Sequence, residues 1–171
     1  MNLRRYTRHD DFHALHALLH QTFAYMEGRI NPPSSLHQIG VTDLRAMANK
    51  LEIWVLETGG KIEACMVLTP QKETLYLGKL AVAARSRRQG LAKRLIRHAE
   101  QRARDLNLSS LTLETRIELI ENHAIFAAAG FKKTDETAHP GFDRPTSITM
   151  VNPVHNRDTP EQSHAHSKDM P

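Results

Sequence analysis

Seven consecutive residues, Arg87-Arg88-Gln89-Gly90-Leu91-Ala92-Lys93, combine cations, a glycine and the start of an apolar stripe. They follow the apolar run Leu75 to Val82. The pattern predicts a buried strand, a basic turn and a helix opening near Gly90. The first amides of a helix have no acceptor inside the helix and point out of its start. Anions are favoured there, so such a start can hold a phosphate-rich ligand. Gly90 has no β-carbon to keep a ligand away, and Ala92 keeps the next position small. Arg85, Arg87, Arg88 and Lys93 can frame a diphosphate with charge-assisted hydrogen bonds. The chain has no G-x-x-x-x-G-K-[ST] and no G-x-G-x-x-G, so this is neither of the two common nucleotide loops. A solvated basic helix start with a convenient glycine has the same sequence, and these residues alone do not separate the two readings.

The charge around this turn is local. The 171 residues carry a formal net charge of +4 and an isoelectric point of about 9.4. Residues 85–104 hold eight arginines and lysines against one acid, Glu100. A cluster points to an anionic ligand, where a diffuse excess would speak only of solubility. Aromatic content of 5% and the lack of a recognition motif argue against nucleic acid as the partner. His13, His16 and His20 fall on one helix face, but no cysteine or carboxylate nearby completes a ligand set, so no metal is expected. The single cysteine, Cys65, allows no internal disulfide and reads as core.

The elements that must position this turn follow from periodicity. Leu3 to Thr7 reads as a strand, and Asp10 or Asp11 as the cap of a first helix with the stripe Phe12, Leu15, Leu19, Phe23 and Met26. After a loop at 28–36, Thr42 can cap a second helix with Leu44 and Met47 inward. Leu51 to Thr58 and Lys61 to Thr69 flank Gly59-Gly60 as a β-hairpin. A strand from Thr74 to Val82 then leads into a long helix, about 89–106, buried through Leu91, Leu95, Ala99 and Ala103. Ser109 to Arg116 is the next strand. A helix at about 121–129 ends at Gly130, a natural left-handed cap. Strands at 131–134 and 147–151 complete the order. The expected fold is a mixed α/β sheet of about seven strands and four helices, with one parallel crossover in the middle. Residues 1–151 are expected to form one domain. Residues 152–171 are polar and proline-rich, and are expected to be a disordered tail. No run approaches the roughly 20 apolar residues of a membrane span, and the N-terminus lacks a signal-peptide core. A cytoplasmic protein without membrane attachment is the expectation.

Three segments resemble one known family. Arg87-Arg88-Gln89-Gly90-Leu91-Ala92 is similar to the [QR]-x-x-G-x-[GA] motif of the GNAT N-acetyltransferases, and Leu80-Ala81-Val82 to the strand before it. Leu113-Glu114-Thr115-Arg116 resembles their L-E-V-R strand. Phe126-Ala127-Ala128-Ala129-Gly130-Phe131 resembles their Y-x-x-x-G-F helix end. The order of elements is similar from about residue 3 to 151. The resemblance implies an acyl-CoA N-acyltransferase fold and an acetyl-CoA-dependent transfer to a primary amine by direct attack. It implies coenzyme binding at Arg87, Arg88, Gln89, Gly90, Leu91, Ala92 and Lys93, with the pyrophosphate on the amides around Arg88 to Lys93. It implies that the pantetheine arm lies between the strands at 76–82 and 110–116, on backbone groups of Leu80, Ala81 and Val82, with an amide near Val82 polarising the carbonyl. Glu114 then stands where the family places a base, with Glu118 and Glu121 as rivals. A solvent-facing carboxylate, or one paired with Arg116, is the plainer alternative.

The chain departs from the family at Phe126, which occupies the position of the usual tyrosine acid and has no proton to give. Phe126 is then expected to pack against the coenzyme arm or the core. Tyr76, Tyr25 or solvent is left to protonate the sulfur, unless the thiolate leaves unaided. Asn122 sits three residues nearer Gly130 than the common pattern, so it either contacts the coenzyme or caps a helix. Tyr25, Glu27, Arg29, His139 and Asp143 are candidates to line the acceptor pocket, for a small-molecule amine or a peptide amine. A homodimer is compatible with the resemblance. An acyl-CoA sensor without turnover is the alternative reading, motivated by Phe126.

Overall fold

A short strand, β1 (Asn2–Tyr6), leads to Asp11, whose Oδ1 accepts from the amides of His13 (3.0 Å) and Ala14 (3.3 Å). This satisfies two otherwise orphaned donors and starts α1 (Phe12–Phe23). A loop with two short 3-10 turns comes next, then α2 (Val41–Lys50). Its cap is Gly40, whose amide donates to Asp43 Oδ2 at 2.8 Å, so the expected cap at Thr42 is displaced by two residues. β2 (Glu52–Thr58) and β3 (Lys61–Pro70) form the expected hairpin, with Gly59 and Gly60 both at positive φ as a type I′ turn demands. β4 (Thr74–Val82), α3 (Leu91–Asp105), β5 (Ser110–Arg116), α4 (Ile120–Ala128), β6 (Lys132–Thr137) and β7 (Ser147–Pro153) complete the chain. The computed structural model describes residues 1–155.

All seven strands share one sheet in the order β1-β2-β3-β4-β5-β7-β6. Pairing is antiparallel except between β4 and β5. Strand alternation splits the core into two layers. On one face, α1 and α2 bury Phe12, Leu15, Leu19 and Leu44 against Ile53, Val55, Cys65 and Val67. On the other, α3 buries Leu91, Leu95, Ile96, Ala99 and Ala103 against Leu56, Met66, Leu75, Leu77, Leu111 and Leu113. Leu95 is wholly buried, and truncating such a leucine to alanine costs about 2–5 kcal/mol.

The centre of the sheet is irregular in two places. β3 and β4 lose register between Cys65 and Val67: Cys65 faces Ala81 while Val67 faces Gly78. The extra residue on β4 is a bulge, and within it Lys79 takes φ +48°. β4 and β5 pair only at Thr74–Ser110, Leu75–Leu111 and Tyr76–Thr112. Both strands then continue without each other, leaving the β5-facing edge of β4 without a strand partner from Leu77 to Val82.

The last strand extends two residues past residue 151. β7 runs to Pro153, and both Asn152 and Val154 are buried. Asn152 Nδ2 donates to Glu100 Oε1 on α3 (3.1 Å) and to the Ala129 carbonyl after α4 (3.5 Å). Gly130 sits beside it at φ +101°, where a β-carbon would come within 3.2 Å of Asn152 Oδ1. The rest of the expected tail, with His164 and His166, lies outside the described residues.

Candidate functional site

The turn before α3 is built from two left-handed residues, Arg88 (φ 62°) and Gly90 (φ 74°). Gly90 is the N-cap and no side chain caps the helix start. α3 begins at Leu91, two residues later than its sequence pattern indicates, because Gly90 is left-handed. Among the described residues, no acceptor takes the amides of Arg88, Gln89, Gly90, Leu91, Ala92 or Lys93. A β-carbon at Gly90 would meet no atom within 4 Å. The space over the glycine is therefore open, and the residue is fixed by its backbone angle rather than by crowding from the protein.

The basic cluster of the sequence dissolves in three dimensions. Arg85 Nε pairs with Glu63 Oε2 (3.0 Å) and its Nη2 donates to the Ile62 carbonyl (3.1 Å), so it does not frame the turn as expected. Ser86 Oγ donates to the same Glu63 oxygen. These partners, Ser86 first, hold the Glu63 carboxyl below its usual range. Arg102 is bound to Glu52 and Asp105, Arg104 to the His155 carbonyl and Arg94 to the Met1 carbonyl. Arg87, Arg88, Lys93 and Arg97 are exposed.

The turn opens on a cavity of about 860 Å³ that runs along the gap between β4 and β5. Of the residues singled out in the sequence, Tyr76, Leu80, Ala81, Val82, Arg87, Arg88, Gly90, Leu91, Ala92, Glu114, Asn122 and Phe126 line it, as do Tyr25 and His139. Gln89 and Lys93 are exposed and lie off its wall. Glu114 stands on the cavity wall, and its charge reaches the Tyr76 hydroxyl across the gap. Burial, and next the Glu114 charge, push that hydroxyl above its ordinary pKa, with the Glu114 backbone acting in the opposite direction. Phe126 is half-buried and packs edge-on to Phe131, with ring centroids 6.0 Å apart. Asn122 caps nothing: the helix cap is Leu119, and Asn122 Nδ2 donates instead to the Tyr25 hydroxyl at 3.2 Å. Cys65 is buried, and burial pushes its thiol up to about 12. His16 and His20 stack at 3.9 Å, and each directs Nε2 to the Ile39 carbonyl.

Residues 12–131 match the sequence pattern of the Acetyltransferase (GNAT) family. The chain belongs to this family. It is 33% identical over 104 residues to N-acetyltransferase 8B of Mus musculus, a match covering 57% of this chain and 45% of that protein. The chain spans less than half the length of the mammalian relatives it matches. Its fold is shared with a GNAT acetyltransferase from Elizabethkingia anophelis solved with acetyl-CoA bound (TM-score 0.66, 17% identity, 90% of this chain and 97% of that one). It is shared also with the ribosomal-protein-S18-alanine N-acetyltransferase of Escherichia coli (TM-score 0.63, 17% identity, 92% and 97%). Among the described residues, no helix is long and apolar enough to cross a membrane.

Of two further residues of this GNAT cavity, Lys79 carries no signal in the sequence and Arg116 is legible there only as the end of the L-E-V-R-like strand and a candidate partner of Glu114. Lys79 lines it from the β4 bulge, half-buried, and burial lowers the pKa of its amine. Arg116 lines it from the end of β5. Its Nη2 donates to the Pro33 carbonyl (3.2 Å), its Nη1 is buried without a partner, and burial lowers its pKa. The carboxylate that supports its charge is Glu118, so Glu114 is not spent on Arg116. A lysine in a strand and an arginine at a strand end look ordinary when read locally. Their setting comes from the register shift of β4 and from a loop 83 residues away in sequence.

Proposed function

We propose that this GNAT chain binds acetyl-CoA and transfers its acetyl group to a primary amine by direct attack. The observation that carries the reading is the α3 start: unclaimed amides at two left-handed residues, opening on the same cavity as Tyr76 and Glu114. Those amides, with Arg87 and Arg88 beside them, suit a diphosphate. The unpaired edge of β4 offers backbone groups to a peptide-like arm in the manner of an added strand. Bound there, the coenzyme supplies an activated thioester. Backbone N–H groups near Val82 are available to its carbonyl oxygen as charge develops.

Glu114 receives the proton of the incoming ammonium, directly or through water, and so provides the neutral amine that attack requires. Tyr76 remains protonated at neutral pH, because both burial and the Glu114 charge disfavour its phenolate. It is therefore a standing proton donor for the leaving sulfur, a role that Phe126 cannot take. Cys65 is buried and protonated, so an acetyl-cysteine relay has no support. Phe126 favours one other reading, a coenzyme sensor without turnover. Calorimetric titration with acetyl-CoA, followed by thiol release across a panel of primary amines, tests both. Binding with turnover supports the transferase. Binding without turnover on any amine supports the sensor, and no binding removes both.

A further inference from the structure

The acceptor half of the cavity carries more positive charge than its own residues neutralise. Six charged side chains line the whole cavity: Lys79, Arg87, Arg88, Glu114, Arg116 and Glu121. Arg87 and Arg88 stand at the α3 end. Glu121 is held by Arg29 at 2.6 Å. That leaves Lys79 and Arg116 with Glu114, and among the described residues neither cation is in an ion pair. The Glu118 carboxylate favours the charge of Arg116 but makes no ion pair with it, and Glu118 Oε2 is itself buried and unpartnered.

Arg116 is the better placed of the two cations. One of its terminal nitrogens is fixed on the Pro33 carbonyl, and the other is buried without an acceptor. Nη1 is closed to solvent, so an acceptor reaches it only when the guanidinium turns toward the cavity; an unpaired buried donor is costly, and pairing would relieve that cost. A planar guanidinium matches a carboxylate in shape and charge. Glu114 and Arg116 are two residues apart on one strand, so they share a face, with their α-carbons about 7 Å apart. The arrangement offers a base for an amine and a cation for a carboxylate within reach of one small molecule. Phe23, Met26, Leu36, Ile39 and Leu119 supply apolar wall beside them.

Building on the transferase reading of the same cavity, we propose that the acceptor is an amine that also carries a carboxylate, an α-amino acid with an apolar side chain, and that Arg116 seats the carboxylate while Glu114 faces the amine. Lys79 adds positive charge from the opposite strand. The amino group forms the new amide bond, the thioester C–S bond breaks, the coenzyme thiol leaves with a proton, and the carboxylate is unchanged throughout. This excludes protein N-termini, whose α-carboxyl is tied up in a peptide bond.

The test compares L-phenylalanine with L-phenylalanine amide and phenethylamine on the full chain with acetyl-CoA. The wild type should acetylate the free acid with kcat/KM about a hundredfold above either analogue, the cost of leaving a partly buried charge unpaired. Arg116→Gln should raise KM for the acid more than it lowers kcat, collapsing that preference, and Arg116→Lys should restore part of it. N-acetyl-L-phenylalanine should bind the wild type measurably tighter than N-acetylphenethylamine in calorimetry, a readout that needs no turnover. Equal rates on acid, amide and amine by the wild type overturn the inference and leave the transferase reading standing, whether or not the Arg116 variants fold. Absence of acetyl-CoA binding in the same titration overturns both.

Discussion

The two ends of the cavity are made of different material. The end at α3 is backbone: amides at residues 88–93, set by two positive φ angles and uncapped by any side chain. The end at β5 is side chain: Tyr76 at the last β4–β5 pair, and Glu114 and Arg116 just beyond it, where the two strands have ceased to pair. A backbone site depends on chain direction and on one glycine, and it tolerates much variation in the residues around it. A side-chain site depends on each group in turn. The α3 end therefore suits an anion held by backbone amides, and the β5 end suits a ligand recognised group by group. The strand parting between β4 and β5 joins the two, because it frees an edge for one ligand and a face for the other.

The sharpest way to break this comparison is at Gly90. Gly90→Glu should reduce acetyl-CoA affinity by more than about a hundredfold, since it sets a carboxylate where a diphosphate would sit. The fold should survive. A β-carbon there meets no protein atom, and the left-handed backbone costs roughly 1–2 kcal/mol for a non-glycine residue. Gly90→Asn, which tolerates that conformation better, should retain more affinity. Calorimetry with a melting curve on each variant reads both effects. Unchanged affinity in Gly90→Glu would remove the backbone end from the site.

At the side-chain end, Glu114→Gln should lower kcat by about 10² to 10³ while leaving acetyl-CoA affinity at the wild-type value, as loss of a general base does. Stopped-turnover assays over a range of pH, alongside calorimetry, separate the two effects. A parallel fall in affinity would mean that the two ends are not independent. Tyr76→Phe should cost less, about tenfold in kcat, because a thiol is already a fair leaving group near neutral pH. With its pKa raised in the fold, the Tyr76 hydroxyl should keep its proton up to and beyond its ordinary pKa of about 10. The wild-type rate should accordingly show no alkaline fall below that pH, and an earlier fall would assign the acid to another group.

The same contrast explains which parts of the molecule are legible in the chain. The α3 start is local: arginines, a glycine and the first residues of an apolar stripe, within seven residues, place it to within two positions. The Gly59-Gly60 hairpin and the Asp11 cap are equally local. Arg85 misleads because its neighbours in sequence do not reveal Glu63, which β3 brings beside it. Lys79 stays hidden, and Arg116 is legible only as a candidate partner of Glu114, because burial, a register shift and the Pro33 carbonyl define their settings, and none of these is written within a few residues of either. Composition alone puts Asn152 in a tail, yet its single buried amide is tied to α3 and to the end of α4.

Glu63 offers the finest test, because it connects the two materials. Its carboxylate holds Ser86 and Arg85, and so fixes the segment that aims Arg87 and Arg88 at the cavity. Glu63→Gln keeps an acceptor for Ser86 and loses only the charge. Hydrogen bonds to a charged group are worth about 1.5–3 kcal/mol and neutral ones about 1, so the variant should lose roughly 1 kcal/mol. That corresponds to a melting temperature lower by about 3 °C in a domain of this size. The direction of the pKa shift sets the sign with pH. Glu63 is held below its usual range in the folded chain, so its contribution is complete above the ordinary carboxylate pKa of about 4.3. It is lost as pH falls through the depressed folded value. The gap between wild type and variant should therefore be constant at neutral pH and close in acid, with acetyl-CoA affinity at neutral pH reduced only a few-fold. A gap that persists in acid would show that the side-chain amide disturbs the turn sterically. A large loss of affinity would show that the backbone end depends on one side chain after all.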